Sequence, residues 1–256
     1  ACTSALNRSS PDRLCGLIPV PTALATKASI PACAQALRRT RSRLLPRSSA
    51  LVALIAVSFG LHAAENTASA DLAKAKTIAE SVCVACHGAD GNSPTPANPI
   101  LAGQHRDYLF KQLTEFKSTD GKPQVRVNAT MLGMTASLNT EDMRGLALYF
   151  SQQKQKPASA VDAKRVEAGK ILWRRGDPDK GIPACAGCHG PAGAGIPSQY
   201  PRLAGQHAEY TETQLKNFRS EERSNDPERM MRTIADKLSD KQIKAVADYI
   251  AGLRAQ

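Results

Sequence analysis

The chain has 256 residues, and its 34 Lys and Arg against 23 Asp and Glu give a formal net charge of +11. Residues 1–70 hold 8 of the basic and 2 of the acidic residues, which leaves 26 and 21, a net of +5, beyond them. That small excess lacks the concentrated basic face of a nucleic-acid-binding protein, so no nucleic-acid partner is expected. The length suits one large domain or two small ones.

Residues 1–70 are predicted to be a leader that is removed from the mature protein. Five Arg between positions 38 and 47 precede an apolar run over residues 50–61 and small residues at 64 and 68–70, the order typical of a secretory signal peptide. The apolar run is too short to cross a bilayer about 30 Å thick. We therefore expect export through the signal peptide to the periplasm, and peripheral membrane association stays open.

The first predicted helix, about residues 71–82, leads into a Cys-x-x-Cys-His pentapeptide formed by Cys83, Cys86 and His87. This pentapeptide is the attachment motif of c-type haem. Two thiols one helical turn apart can each form a thioether with a vinyl group of one porphyrin, and the histidine can then ligate the iron. These three residues are therefore predicted to bind a covalent haem.

Two more helices are predicted before the pattern repeats. Tyr, Leu and Phe at helical spacing predict a helix over about 105–118, and another runs from about 140 to 153 with Thr140 as its candidate N-cap. No alternating apolar pattern of useful length predicts a strand. Residues 154–160 are polar and interrupted by proline, which is typical of a linker.

The second half of the chain repeats the first. Cys185, Cys188 and His189 form a second attachment motif 102 positions after the first, so a second covalent haem c is predicted there. Helices are again predicted, over about residues 160–175, 207–220 and 239–253. The last of these has Ser239 as its candidate N-cap.

This repeat predicts an all-α protein made of two tandem cytochrome c-like domains. The N-terminal domain is placed at 71–153, the linker at 154–160 and the C-terminal domain at 161–256. Each domain is expected to fold about three main helices around one covalently attached haem. Domains of this size have thin cores, and the haem would supply much of the apolar interior.

The sixth position of each iron decides between electron transfer and catalysis. Four of the five Met occur in two pairs, Met131 with Met134 and Met230 with Met231. Met131 and Met231 hold equivalent positions in the repeat and are predicted to ligate the irons, while the other two are predicted to fill gaps in the core. His105 and His207, predicted as capping or surface groups, remain the alternative ligands.

A ligand histidine needs its other ring nitrogen held, usually by a carbonyl. Pro99 and Pro201 follow the two motif histidines by 12 positions and have carbonyls that could serve, or they could only stiffen a turn. Asn128 could steady the Met131 sulfur or a haem propionate. Arg126 could pair with a propionate, with surface solvation as its default and no clear counterpart in the second copy.

Over about residues 72–254 the sequence closely resembles the cytochrome c4 family of dihaem electron carriers. The resemblance is carried by both Cys-x-x-Cys-His-Gly motifs, by the Pro-x-Leu-Ala-Gly-Gln stretches at 99–104 and 201–206, and by the methionine segments that follow them. It implies axial Met131 and Met231, histidine-holding carbonyls at Pro99 and Pro201, and two domains related by a pseudo-twofold axis. One departure is Ala75, because the second copy keeps the family's Gly at the matching position, Gly169.

The function implied by this resemblance is electron transfer, not enzymatic catalysis. The expected partners are redox proteins such as a quinol-cytochrome c reductase and a terminal oxidase or reductase. A cytochrome subunit of a larger dehydrogenase is the alternative, and a dihaem peroxidase, which needs one open iron, is a more distant one. A zinc ribbon is disfavoured because its Cys pairs lie about 15 to 20 residues apart.

Overall fold

The computed structural model describes residues 71–117, 121–197 and 199–255. In these ranges the regular structure is helical, and the strand-like pairings are two isolated bridges, Asp177 with Ile182 and Ile196 with Tyr200. The all-α fold class is confirmed. The leader predicted for residues 1–70 lies outside the described residues. Within the described ranges, no helix combines the length and hydrophobicity that crossing a membrane requires.

The first copy starts with a helix that runs into the attachment motif. A π-helical turn at Ala79–Cys83 joins α1 to α2 without a break. The helices of this copy are α1 (71–78), α2 (Val84–His87), α3 (Arg106–Phe116), α4 (Ala129–Thr135) and α5 (Thr140–Ser151). The N-cap of α5 is Asn139, which forms a capping box with Asp142, so the prediction of Thr140 was wrong by one residue.

The second copy has the same order of elements. Its helices are α6 (Ala163–Arg175), α7 (Ala186–His189), α8 (Ala208–Arg219), α9 (Met230–Asp236) and α10 (Asp240–Gly252). Ser239 caps α10 in a capping box with Gln242, as predicted. Between α6 and α7 the chain makes a short 3-10 turn at Pro178–Lys180 instead of the continuous path of the first copy.

In each copy the first helix packs on the last. In the first copy Ala75 of α1 and Ala79 of the π-helical turn lie in one core with Leu146 and Phe150 of α5. In the second copy Leu172 and Trp173 of α6 join the residues that α10 buries, which include Ile243, Val246 and Ile250. These two helix pairs position the attachment motifs, because each motif directly follows, or closely follows, the first helix of its pair.

The two methionine segments are short helices, which the sequence analysis did not predict. Each of α4 and α9 has 7 residues, too few to show an amphipathic period and too few to form without tertiary contacts. The side chain of Asn128 caps α4 by accepting from the backbone N–H of Met131 at 2.8 Å. Its role in the structure is therefore a helix cap.

The segment predicted as a linker is fixed to both copies. Asn92 accepts from the Lys156 backbone N–H at 2.6 Å and donates to the Lys154 carbonyl at 3.0 Å. On the other side the Ala158 N–H donates to the Gly205 carbonyl at 2.8 Å. Chain entropy has already been lost at these residues, so the linker acts as a strap and not as a free tether.

Candidate haem sites and the contact between them

Each attachment motif forms one helical turn that ends at a left-handed glycine. Gly88 ends α2 with φ 73° and Gly190 ends α7 with φ 78°, a conformation that residues with a Cβ rarely adopt. At Gly88 a Cβ would also lie 2.8 Å from the Asn92 carbonyl oxygen. The glycine after each histidine therefore lets the chain turn away directly after the ligand residue.

The four motif cysteines lie in two different environments. Cys83 and Cys185 pack against the domain cores, whereas Cys86 and Cys188 are exposed. Burial raises the pKa of Cys83 to about 11 and the pKa of Cys185 to about 11. Both inner thiols are therefore neutral at pH 7, which suits a sulfur that forms a thioether in an apolar site.

The two motif histidines are buried and share one hydrogen-bond arrangement. His87 is 8% exposed and His189 is 7% exposed. Nδ1 of His87 lies 3.0 Å from the Pro99 carbonyl oxygen, and Nδ1 of His189 lies 3.1 Å from that of Pro201. A carbonyl only accepts, so Nδ1 carries the proton and Nε2 keeps its lone pair.

Burial also lowers the pKa of both histidines, and the hydrogen bond to the proline carbonyl opposes this only in part. His87 and His189 are therefore neutral imidazoles of the tautomer that can ligate a metal through Nε2. The structure places Pro99 and Pro201 where the sequence predicted them to act.

The four candidate methionines differ in exposure. Met134 and Met230 are 44% and 37% exposed. Met131 and Met231 are half-buried, and Met231 packs against the C-terminal core. The two methionines at equivalent repeat positions are thus the more enclosed pair, which is the environment a ligand sulfur needs.

The two copies contact each other through a pair of buried glutamines, which the sequence analysis did not single out. The Gln206 side chain accepts from the Ile100 N–H at 2.9 Å and donates to the Ile100 carbonyl at 2.9 Å. Gln104 does the same with Arg202, at 2.9 Å and 2.8 Å. The only signal for them was their presence in both Pro-x-Leu-Ala-Gly-Gln stretches.

Two buried arginines, one from each copy, form a second reciprocal contact. The Arg126 guanidinium lies 4.5 Å above the Phe116 ring and donates to Tyr210 and Gln214 of the other copy at 3.0 and 2.8 Å. The prediction that solvent surrounds Arg126 was wrong, because the side chain is 8% exposed. Aromatic stacking and neutral acceptors from another domain are not visible in a local sequence pattern.

Arg126 also has a counterpart, contrary to the sequence analysis. Arg223 lies 4.4 Å above the Phe218 ring and donates to Tyr108 and Gln112 of the first copy at 3.0 and 3.3 Å. Loop lengths that differ between the copies hid this match in the sequence. Each of these arginine bonds therefore has a counterpart in the reverse direction, the pattern that a twofold axis produces.

The residues present fit covalent haem with one iron per domain. A neutral imidazole with a free Nε2, two thiols and an enclosed thioether form a soft donor set of the kind that haem iron takes. Arg126 and Arg223 line a cleft of about 470 Å³. Their described side-chain acceptors are Gln, Asn and Tyr, so these buried cations have capacity for carboxylate groups such as propionates.

Comparison with known proteins gives a consistent family. The family model described as cytochrome c matches residues 72–154 and 166–254. The chain is 46% identical over 177 residues to cytochrome c4 of Thiocapsa roseopersicina, covering 68% of this chain and 88% of that protein. A crystal structure of reduced recombinant cytochrome c4 from Pseudomonas stutzeri has a TM-score of 0.66 and 42% identity, and covers 73% of this chain and 98% of the other.

A relative with a different name is also similar. The thiosulfate dehydrogenase electron acceptor of Thiomonas intermedia (strain K12) is 42% identical over 172 residues, covering 66% of this chain and 77% of that protein. The similarity to cytochrome c4 and the likeness of the fold confirm the tandem pair of cytochrome c domains and their two covalent haem c groups.

Proposed function

Because this chain belongs to the cytochrome c4 family, we propose that it carries single electrons between respiratory partners in the periplasm, with each iron ligated by one histidine and one methionine. Membership makes it an electron-transfer protein and not an enzyme. The proposal concerns the periplasmic location, the redox partners and the axial ligands of the two irons.

The single observation that carries the ligand assignment is the state of the two motif histidines. Each is buried and neutral, with its Nδ1 proton donated to a proline carbonyl and Nε2 left for the iron. Met131 and Met231 supply the sixth ligand. A haem iron with both axial positions filled exchanges electrons and leaves no open site for substrate.

The arginines at the junction have a role in the same proposal. Arg126 and Arg223 hold haem propionates, since both are buried and their described side-chain acceptors are neutral groups. Compensating two buried guanidinium charges with carboxylates offsets their desolvation. This role would bring propionate edges of the two haems to the shared contact, where electrons could pass between domains.

The proposed partners are a quinol-cytochrome c reductase as donor and a terminal oxidase or reductase as acceptor. A second candidate follows from the similar protein named thiosulfate dehydrogenase electron acceptor. In that role this chain would take electrons from a dehydrogenase, as its separate carrier or as its cytochrome subunit. Reduction kinetics with each class of donor, and copurification of a dehydrogenase, separate the two candidates.

Absorption spectroscopy on oxidised, exported protein tests the ligands. We expect two haems per chain by pyridine haemochrome and a weak band at the red end of the visible spectrum, which marks iron bonded to a Met sulfur. Met131→Leu and Met231→Leu should each remove about half of that band, because each would remove one of two sulfur ligands.

Met134→Leu and Met230→Leu are the matched controls and should leave the band intact. A high-spin signal in the unmodified protein, or a band that survives Met131→Leu and Met231→Leu together, would contradict the ligand assignment. Cell fractionation of the full chain tests location: haem-stained protein should appear in the periplasmic fraction, and retention in the cytoplasm would contradict export.

A further inference from the structure

Each histidine-holding carbonyl belongs to a peptide group that also contacts the other domain. The Pro99 carbonyl accepts from His87, and the N–H of the same peptide group, that of Ile100, donates to Gln206. The Pro201 carbonyl accepts from His189, and the N–H of its peptide group, that of Arg202, donates to Gln104. One peptide group therefore separates each ligand histidine from a side chain of the opposite domain.

Gln206 is held in one orientation at this place. Its Oε1 accepts both the Ile100 N–H at 2.9 Å and the His207 N–H at 3.0 Å, and its Nε2 donates to the Ile100 carbonyl at 2.9 Å. The side chain is 7% exposed. An oxygen with two donors and a nitrogen with a fixed acceptor leave no alternative flip of the amide.

Gln104 repeats this geometry in the opposite direction. Its Oε1 accepts the Arg202 N–H at 2.9 Å and the His105 N–H at 2.9 Å, and its Nε2 donates to the Arg202 carbonyl at 2.8 Å. The residue before each glutamine is a left-handed glycine, Gly103 at φ 68° and Gly205 at φ 70°. These turns direct both amides across the domain boundary.

We propose that Gln104 and Gln206 are positioning residues that set the reduction potential of the haem in the opposite domain: Gln206 acts on the haem of His87, and Gln104 on the haem of His189. The proposal rests on the histidine ligation in the proposed function. The path in each direction is glutamine amide, backbone N–H, proline carbonyl, ligand histidine.

The direction of the effect follows from the polarisation of an amide. When a peptide N–H donates a hydrogen bond, its carbonyl oxygen gains electron density and becomes a better acceptor, by about 10–30% per bond in a chain of bonds. A stronger acceptor at Nδ1 makes the imidazole a better electron donor to the iron. Each glutamine therefore stabilises the oxidised iron of the opposite domain and lowers its potential.

The test exchanges each glutamine in the complete holoprotein. Gln206→Leu and Gln104→Leu remove the amide at similar volume, and Gln206→Asn and Gln104→Asn keep an amide but withdraw it by about 1.5 Å. Potentials are measured by redox titration followed by NMR, with haem resonances assigned to each domain. Hydrogen exchange of the Ile100 and Arg202 amides reports independently whether each cross-domain bond is lost.

We expect a crossed result. Gln206→Leu should raise the potential of the N-terminal haem, so that its ratio of reduced to oxidised iron at fixed ambient potential rises about two- to threefold, or about 18–28 mV at 59 mV per tenfold. Gln104→Leu should do the same to the C-terminal haem. The Asn variants should shift in the same direction by less.

His207→Ala is the matched control. It removes a neighbouring cross-domain bond, from Nε2 to the Ser93 carbonyl at 3.0 Å, and touches neither peptide group that holds a ligand histidine. If His207→Ala shifts the N-terminal haem as much as Gln206→Asn does, loosening of the contact explains the effect and the proposal fails.

Three other outcomes overturn the proposal: a shift in the haem of the substituted domain, an equal shift of both haems, or no shift although amide exchange shows that the bond is gone. Failure of the proposed function is seen separately. It would appear in the unmodified protein as missing haem or a missing iron–sulfur band, before any glutamine variant is made.

Discussion

In both domains the first and last helices cross closely at a glycine. The glycine lies on the first helix in one domain and on the last helix in the other. In the C-terminal domain Gly169 of α6 faces Ala245 of α10, and a Cβ added at Gly169 would lie 2.1 Å from the Ala245 carbonyl oxygen. In the N-terminal domain the pair is reversed, with Ala75 on α1 and Gly145 on α5. A Cβ at Gly145 would lie 3.3 Å from the Ala75 Cβ.

The two domains also differ in which helix carries the large core side chains near these crossings. Four residues after the small residue of the first helix, the C-terminal domain has Trp173 and the N-terminal domain has Ala79, both 0% exposed. The N-terminal domain recovers volume on its last helix, with Leu146 and Phe150 where the other domain has smaller side chains. The two domains therefore distribute their large apolar side chains differently over the same pair of helices.

The largest effect should come from Trp173→Ala. Removing this indole leaves a cavity and loses the bond from Nε1 to the Pro191 carbonyl at 3.1 Å, at a cost of about 3–5 kcal/mol in the free energy of unfolding. Guanidinium unfolding followed by circular dichroism measures it. Trp173→Phe is the control and should cost less, and a loss below about 1 kcal/mol for the alanine variant would show that other residues fill the space.

Next in size is the difference between two glycine substitutions. Gly169→Ala must push the backbone of α10 away and should destabilise by about 1–3 kcal/mol or more. Gly145→Ala needs its neighbours to move by only a few tenths of an ångström, and should cost less than about 1 kcal/mol. Thermal unfolding of the two holoproteins compares them, and equal changes in Tm would mean that the crossings are equally tight.

Substitutions just before the two methionine helices, α4 and α9, should change the stability by smaller amounts and in opposite directions. Asn128 caps α4, so Asn128→Ala should destabilise by about 1 kcal/mol. Before α9 the exposed Glu228 has φ 49°, so Glu228→Gly should relieve strain and stabilise by about 0.5–1 kcal/mol. Chemical denaturation measures both, and a destabilising Glu228→Gly would show that this backbone is not strained.

The smallest effect is the pH-dependent contribution to stability of an ion pair between the strap and the first copy. The Lys156 ammonium, 2.9 Å away, holds the pKa of Asp90 at about 2, below its ordinary 3.8. The pair therefore stabilises the fold above pH 3.8, and this contribution is lost as the pH falls through about 2. Because the pair is exposed, it contributes less than about 1 kcal/mol.

Acid titration of unfolding tests this contribution. Asp90→Asn should be slightly less stable than the parent at neutral pH, and the difference should vanish as the pH falls toward 2. A constant difference across that range would show that the effect does not come from the charge of Asp90.

Local features of the sequence predicted the main helices and the attachment motifs. Helical periodicity located the helices that contain Gln112 and Tyr249, and the motif spacing gave the cysteines and histidines directly. The proline carbonyls were predictable because the same distance of 12 positions recurs in both copies. The helix α4 was missed, since 7 residues are too few to display a period.

The sequence by itself determined the chemistry of each haem site, because thiols, imidazole and proline lie within 17 residues of one another in each copy. Only the tertiary structure decided how the sites meet. Gln206 reaches Ile100 across 106 positions and Arg223 reaches Tyr108 across 115. Such bonds depend on how two folded surfaces fit together, and no periodicity or spacing along one chain records that fit.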